Sequence, residues 1–181
     1  KWERYDYIET IKKHTGIDIL NTNMDEIKER LKGLKVDYSR EGFNITRAID
    51  NLWKYCRKKI CGPGFLVGVP VEVSPLAKRD PKNPKITQRF QPIIAGSELG
   101  NGYSELNDPV DQMNRFNDQA ELRKAGDEEA QMTDNDFVEA LEYGMPPTCG
   151  FGMSERVFSF LMNKSARECQ IFPLLRPKKG D

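Results

Sequence analysis

A polar, glycine-rich stretch stands out in this chain: residues 96–108 read GSELGNGYSELND. Asn101, Tyr103 and Glu105 fall at alternate positions, so in a strand they share one face. Glu98 joins that face if a β-bulge in the glycine-rich part shifts the register by one residue. Two carboxylates, an amide and a phenol suit a ligand that carries an amine, because carboxylates supply charge and the other groups fix orientation. By itself, however, the pattern favours a plainer interpretation, an exposed polar hairpin.

Strands are predicted on the N-terminal side of this stretch and helices on its C-terminal side. Residues 65–73 are rich in valine and predict a buried strand that ends at a Ser-Pro pair. Residues 89–99 predict one long strand, in which Pro92 indicates an edge or a bulge. Helices are predicted over 110–124, 134–143 and 154–162. Because strands and helices do not alternate evenly, the sequence predicts an α+β fold with a mainly antiparallel sheet.

The first sixty residues are predicted to be helical. Apolar residues recur at helical spacing over 5–16. Thr22 or Asn23 is suited to cap a second helix that stops at Gly33. Asn44 precedes a third helix.

The third predicted helix has an apolar stripe that includes Leu52, Trp53 and Cys56. This stripe predicts packing against a sheet. The basic run that follows, residues 57–59, is expected to be a solvated helix end that complements the helix dipole.

The amino-acid composition limits the classes of protein to which this chain can belong. The 181 residues predict a single domain, and the balance of 28 basic and 28 acidic residues is not that of a strongly basic nucleic-acid binder, although a local basic patch stays open. No apolar run approaches the roughly 20 residues of a membrane span, and no secretory leader precedes Lys1, so a cytoplasmic location without membrane contact is expected. The four cysteines form no CxxC pair and the single histidine completes no zinc set, which indicates reduced thiols.

Two further stretches carry candidate chemistry. Residues 150–156 read GFGMSER, so a glycine-rich strand end opens a helix with Arg156 in its first turn. Free backbone N–H groups and an arginine can receive a phosphate or a stacked purine, although an arginine at a helix start is more often only solvated. Residues 72–79 would set Glu72 and Arg79 beside a site, or simply form a surface corner.

Taken in order, these segments resemble the C-terminal half of the catalytic domain of class II lysyl-tRNA synthetases. The resemblance rests on VEVSPLAKRDPKNPKITQRF (71–90), GSELGNGYSELNDPVDQMNRF (96–116), GDEEA (126–130), ALEYGMPPTCGFG (140–152), SERVFSFL (154–161) and IFPLLRP (171–177). It runs from about Gly64 to Lys178. Residues 1–63 resemble, more loosely, a helical insertion of that domain, and 64–181 its core with the third class motif. The run NGYSELNDP distinguishes the lysine enzymes from those for aspartate and asparagine.

The resemblance implies a fold and an activity. The fold is a six- or seven-stranded antiparallel sheet flanked by helices, present here as a partial domain. The activity is that of an aminoacyl-tRNA ligase: lysine reacts with ATP to give lysyl-adenylate, and the lysyl group passes to tRNA(Lys). The implied cofactors are ATP and Mg²⁺. The implied partners of the full-length protein are L-lysine, tRNA(Lys) and a second copy in a homodimer.

Site residues also follow from the resemblance. Asn101, Tyr103 and Glu105 match the lysine pocket, with Glu105 facing the side-chain ammonium. Glu98 matches a carboxylate that holds Mg²⁺ beside the ATP phosphates, and Arg156 matches the arginine that stacks on adenine and contacts the γ-phosphate. Gly150 and Gly152 match glycines of the pocket floor, and Gln91 matches a position on the ATP and metal side.

The sequence departs from the family pattern at several points. Gln91 stands where a glutamate is usual, so the metal affinity is expected to fall. The third motif is one residue shorter and has Glu155 in place of aspartate. The first and second class motifs and an anticodon-binding domain have no match, so the chain alone is expected to be inactive. Two alternatives stay open: a synthetase paralogue that modifies a protein lysine, and a non-catalytic module that binds lysine or a partner.

Overall fold

The structure is a computed structural model that describes residues 1–38 and 42–174. A mixed six-stranded sheet lies at its centre. The strands are β1 Glu3–Asp6, β2 Gly64–Val67, β3 Arg89–Ile94, β4 Ser97–Glu98, β5 Gly100–Ser104 and β6 Cys149–Met153. Their order is β1-β2-β3-β5-β6, and β4 also pairs with β3. The β1–β2 pair is parallel and every other pair is antiparallel. The predicted α+β class with a mainly antiparallel sheet is therefore confirmed, and the parallel β1–β2 pair makes the sheet a mixed one.

Six α-helices flank this sheet in the described part of the chain. They are α1 Tyr7–Thr15, α2 Met24–Gly33, α3 Ile45–Arg57, α4 Pro109–Lys124, α5 Asn135–Glu142 and α6 Arg156–Met162, with 3₁₀ turns at Val71–Val73 and Ala166–Cys169. None of these helices is long and apolar enough to cross a bilayer.

The helix boundaries follow from local capping chemistry. Asn23, rather than Thr22, accepts hydrogen bonds from the backbone N–H groups at the start of α2. Asn44 caps α3 in the same way. Gly16 ends α1 in the left-handed region, with φ at 77°, where glycine carries no steric cost. All three ends agree with the sequence prediction.

One helix prediction and two strand predictions were wrong at their boundaries. The predicted first helix begins two residues later, because Glu3–Asp6 pairs with β2 and Asp6 caps α1. The predicted strand over 65–73 ends at Val67 and continues as a loop and a 3₁₀ turn. The predicted long strand over 89–99 is a hairpin, because Ala95 and Gly96 take φ values of 49° and 72° and reverse the chain.

The main core lies between the sheet and the first three helices. Buried residues of α1, α2 and α3, among them Ile11, Leu31 and Leu52, pack in one cluster with Leu66 and Ile93 of the sheet. The predicted packing of the α3 stripe against the sheet is thereby confirmed. Residues 1–63 share their core with the sheet, and the proposed domain boundary at 63 stays a prediction.

An ion triad fastens α4 to the segment that precedes β3. Asp111 accepts hydrogen bonds from Arg79 and from Arg115, at 2.8–3.1 Å. Arg115 is buried and also donates to the carbonyls of Ser74 and Ala77. The loop 74–79, which borders the candidate site, is therefore held in place from behind.

Candidate ligand-binding site

A β-bulge brings the predicted site residues onto one face of the sheet. Phe90 pairs with Gly102 and Ile93 with Glu98, so two residues on β3 oppose three between Glu98 and Gly102. Pro92, whose ring lacks an N–H to donate, is one of the two β3 residues in this bulge, and β3 is an interior strand. Of the two interpretations of Pro92, the bulge is correct.

This change of register decides where Glu98 lies. Arg89 and Ile93 share a face of β3, and residues directly opposite each other on neighbouring strands point the same way. Arg89 pairs with Tyr103, and Ile93 pairs with Glu98. Glu98 therefore lies on the face of Asn101 and Tyr103, as the sequence predicted.

The glycines of β6 extend the same face. Asn101 pairs with Gly152, and Tyr103 pairs with Gly150. A side chain at Gly150 would lie 3.6 Å from the Glu105 carboxylate, whereas one at Gly152 would meet nothing within 4 Å. The two glycines thus leave the sheet surface open beside the polar residues of β5, and their role as a pocket floor stays a prediction.

Arg89 lies at the centre of this face. Its Nε donates to Asn101 Oδ1 at 2.8 Å, and its Nη1 donates to Ser74 Oγ at 2.8 Å and to the carbonyl of Val73 at 3.1 Å. Burial lowers the pKa of the Arg89 guanidinium, and the nearby Glu98 carboxylate opposes that shift. An arginine side chain remains charged in proteins. The face thus holds a buried cation, the Arg89 guanidinium, near the Glu98 carboxylate.

One end of the face is a small pocket beside Tyr103. Its volume is about 160 Å³, and it is lined by the loop 73–77 with Arg89, Asn101, Tyr103 and Gln131. Burial raises the pKa of the Tyr103 phenol, and the neighbouring Glu105 carboxylate raises it further. Tyr103 is therefore a neutral hydrogen-bonding group at pH 7.

The opposite end of the face is closed by α3. Trp53 Nε1 donates to Glu98 Oε1, and Arg57 Nη1 lies 3.7 Å from Glu98 Oε2. Gln91 lies two residues from Ile93 on β3, so it points to the same side as Glu98. The described residues include no group of three histidines, cysteines or acids able to hold a metal by themselves. Magnesium sites commonly use one or two carboxylates and substrate phosphates, which a carboxylate with an adjacent amide oxygen fits.

Arg156 stands apart from this set. It begins α6 directly after β6 and is exposed, and its backbone N–H donates to Ser154 Oγ. Within the described ranges, no hydrogen bond or ion pair joins its side chain to the residues of the polar face. Its side chain is accordingly accessible to a ligand, and its assigned contact with ATP stays a prediction.

The segment 72–79 borders the pocket beside Tyr103 through residues 73–77, whereas Glu72 and Arg79 at its ends do not line that pocket. Arg79 is engaged by Asp111 and by the carbonyl of Pro84, and Glu72 is exposed. The resembling segment IFPLLRP is described only to residue 174, and its remaining residues lie outside the described part of the chain.

Sequence reasoning missed three residues of the site. Arg89 stands two positions before Gln91, and this even spacing on a strand was a usable signal. Trp53 was assigned to the apolar stripe of α3, and Arg57 to a solvated helix end. Nothing in a single sequence indicates that these two side chains reach Glu98, which is more than forty positions away.

Comparison with known proteins gives consistent results. The family model of the class II tRNA synthetases (D, K and N) matches residues 1–176. A lysine–tRNA ligase of Thermosipho melanesiensis is 47% identical over 98% of this chain and 35% of its own length. The lysine–tRNA ligases of Fervidobacterium nodosum and Porphyromonas gingivalis are 45% and 42% identical, over 35% and 31% of their lengths. The chain thus spans about a third of the length of the curated relatives it matches.

Proposed function

Because the chain belongs to the class II tRNA synthetases (D, K and N), we propose that it forms the lysine-binding part, and one side of the ATP site, of a lysine–tRNA ligase. The whole ligase would activate lysine with ATP and pass the lysyl group to tRNA(Lys), as a homodimer in the cytoplasm. Relatives with that name at 42–47% identity support lysine as the amino acid and do not favour a protein-modifying paralogue or a non-catalytic module.

One structural observation carries this proposal: the bulge that puts Glu98, Asn101, Tyr103 and Glu105 on one face of the sheet. Glu105 lies beside the opening left by Gly150 and offers a carboxylate to the side-chain ammonium of lysine. A desolvated ammonium needs a charged partner, since an unpaired buried charge is costly. Tyr103, neutral at pH 7, and Asn101 would orient the bound amino acid.

The ATP side would lie toward Glu98 and Arg156. Glu98, with the Gln91 amide oxygen, would hold Mg²⁺, which when bound offsets negative charge on the phosphates. The exposed guanidinium of Arg156 would stack on the adenine and reach the γ-phosphate. Gly152 leaves the sheet surface open between these residues.

In the reaction, the carboxylate of lysine attacks the α-phosphorus of ATP and pyrophosphate leaves. The chain's own residues form no covalent bond with either substrate. They hold the two reactants in line and surround them with fixed charges, which is an effective source of rate acceleration for such displacements. Arg89 would keep Asn101 and the loop 73–77 in place during this step.

Calorimetric titration with L-lysine tests the proposal, using the chain and the longer protein in which it occurs. Glu105→Gln is expected to weaken lysine binding by about 30-fold or more, because the ammonium loses its charged partner. Glu121→Gln is the matched control, since this exposed glutamate lies on α4 and, among the described residues, its side chain pairs with Lys124 alone. Equal lysine affinity in the Glu105→Gln and unchanged proteins would refute the proposed pocket.

A further inference from the structure

Two side chains of α3 contact the carboxylate that the proposed function assigns to Mg²⁺. Trp53 donates its indole N–H to Glu98 Oε1. The Trp53 side chain is only 3% exposed, and its ring packs on Tyr7 with centroids 4.9 Å apart. The donor is therefore fixed by the core, and it restricts the rotation of the Glu98 carboxylate.

Arg57 approaches the other oxygen of the same carboxylate from one helical turn further along α3. Its Nη1 lies 3.7 Å from Glu98 Oε2, which is an ion pair too long for a strong hydrogen bond. Its Nε is buried without a hydrogen-bond partner among the described residues. Glu98 thus stands between a neutral donor and a cation, both supplied by α3.

We propose that α3 tunes the affinity of Glu98 for a divalent cation, with Trp53 and Arg57 acting as positioning residues of opposite effect. The proposal rests on the proposed function, in which Glu98 holds Mg²⁺ beside ATP. Trp53 orients the carboxylate toward the cation, and Arg57 neutralises the carboxylate when the cation is absent and repels the cation when it arrives.

The two effects have different physical origins. A neutral N–H fixes one oxygen of a carboxylate and leaves lone pairs free for a metal, as outer hydrogen bonds to metal ligands commonly do. A guanidinium also orients the carboxylate, but its positive charge acts against a second cation a few ångströms away. Loss of the indole N–H should therefore weaken metal binding, whereas loss of the guanidinium charge should strengthen it.

The test measures ATP binding, not catalysis, by calorimetry of the full-length protein at a series of Mg²⁺ concentrations. The quantity compared is the Mg²⁺ concentration that gives half-maximal ATP binding. Trp53→Phe, which keeps an aromatic ring and removes the donor, is expected to raise it about tenfold. Arg57→Gln is expected to lower it about three- to tenfold, since partial exposure screens the charge. Lysine affinity should stay within about twofold in both variants, because Glu105 lies at the far end of the face.

Two controls separate this proposal from its premise and from general loss of packing. Glu98→Gln must itself raise the Mg²⁺ concentration that gives half-maximal ATP binding. If it does not, Glu98 is no metal ligand, and the proposed function fails at this residue together with the inference. Leu52→Val trims a buried residue next to Trp53 and should leave the Mg²⁺ dependence unchanged.

With Glu98→Gln effective, the α3 variants decide the inference alone. An unchanged Mg²⁺ dependence in Trp53→Phe, or a shift in the same direction in both variants, would overturn it. Should Trp53→Phe not fold, Arg57→Gln decides: a lower Mg²⁺ requirement supports the proposal, and an equal or higher one overturns it.

Discussion

The contact between α3 and the loop that follows α4 offers a direct test of the fold. Asp127 is only 5% exposed and accepts hydrogen bonds from Arg47 Nε at 2.9 Å, Arg47 Nη2 at 2.6 Å and Asn44 Nδ2 at 2.8 Å. Arg47 also contacts the exposed Glu129. The concavity of about 310 Å³ around this cluster is larger than the pocket beside Tyr103, but both of its basic side chains, Arg47 and Lys54, already pair with acidic residues of its lining.

Asp127→Asn keeps the shape of the side chain and removes its charge. Hydrogen bonds to charged groups contribute about 1.5–3 kcal/mol each, roughly twice as much as neutral ones. Removal of one charge from a fully buried pair costs about 3–5 kcal/mol. Because the Arg47 side chain is 22% exposed and asparagine can still accept a hydrogen bond, we expect a loss of about 2–3 kcal/mol at pH 7.

The stabilisation by the Asp127 carboxylate depends on pH. Burial alone raises the pKa of Asp127, but the hydrogen bonds from Arg47 and Asn44 outweigh it and hold that pKa below its usual range. The stabilisation is therefore present above the unfolded-state pKa of about 3.9 and is lost as the pH falls through the folded-state value. The difference between the unchanged and variant chains should be full at pH 7 and smaller at about pH 3.

Urea unfolding followed by tryptophan fluorescence measures both quantities, with linear extrapolation to water. Glu121→Gln on the surface of α4 serves as control and should cost less than about 0.5 kcal/mol. A loss below about 0.5 kcal/mol for Asp127→Asn at pH 7, or a difference that is the same at both pH values, would show that the buried charge of Asp127 does not stabilise the fold.

Two further predictions concern packing and reactivity. Gly102→Ala should lower the free energy of unfolding in urea by about 1–2 kcal/mol, because the added Cβ would lie 2.7 Å from the Phe90 ring. Gly152→Ala on the next strand should change it by less than about 0.5 kcal/mol, and equal effects of the two variants would contradict the described register. The Cys56 thiol is fully buried, and burial raises its pKa to about 11. Mass spectrometry after thiol labelling at about pH 8 should therefore find the exposed Cys61 modified and Cys56 unmodified. Rapid labelling of Cys56 would contradict the described core.

Local signals in the sequence predicted most of the helical part of the fold. Asn23, Asn44 and Gly16 act through chemistry within a few residues of each helix end, so a single sequence contains the information. The strand Glu3–Asp6 was missed because it is short and its partner β2 lies about sixty positions away. Its side chains also continue the helical spacing of α1, so the local pattern favoured a longer helix.

The hairpin after β3 was missed for a different reason. Ala95 and Gly96 form the turn with positive φ, and alanine is not a typical residue for that conformation. The bulge, in contrast, was predictable, because Pro92 on one strand and Gly100 and Gly102 on the next are residues typical of β-bulges. The shared face of Glu98 and Tyr103 follows from that bulge alone.

The part of the site that α3 supplies could not be predicted. Trp53 satisfies an apolar stripe and Arg57 satisfies a basic helix end, so neither residue conflicts with the local pattern. Their contact with Glu98 depends on how α3 crosses the sheet, and tertiary packing determines this. A sequence pattern that explains a residue by its helix position gives no information on the contacts of its polar atoms.

Amino acid activation by the full-length protein tests whether lysine is the amino acid that the site binds and activates. Exchange of labelled pyrophosphate into ATP would be measured with lysine, aspartate or asparagine, the three amino acids of the matched family. We expect exchange that depends on lysine and on Mg²⁺, that is lost in Glu105→Gln and that is retained in Glu121→Gln. Exchange with aspartate or asparagine in place of lysine, or lysine-dependent exchange that Glu105→Gln leaves unchanged, would contradict this expectation.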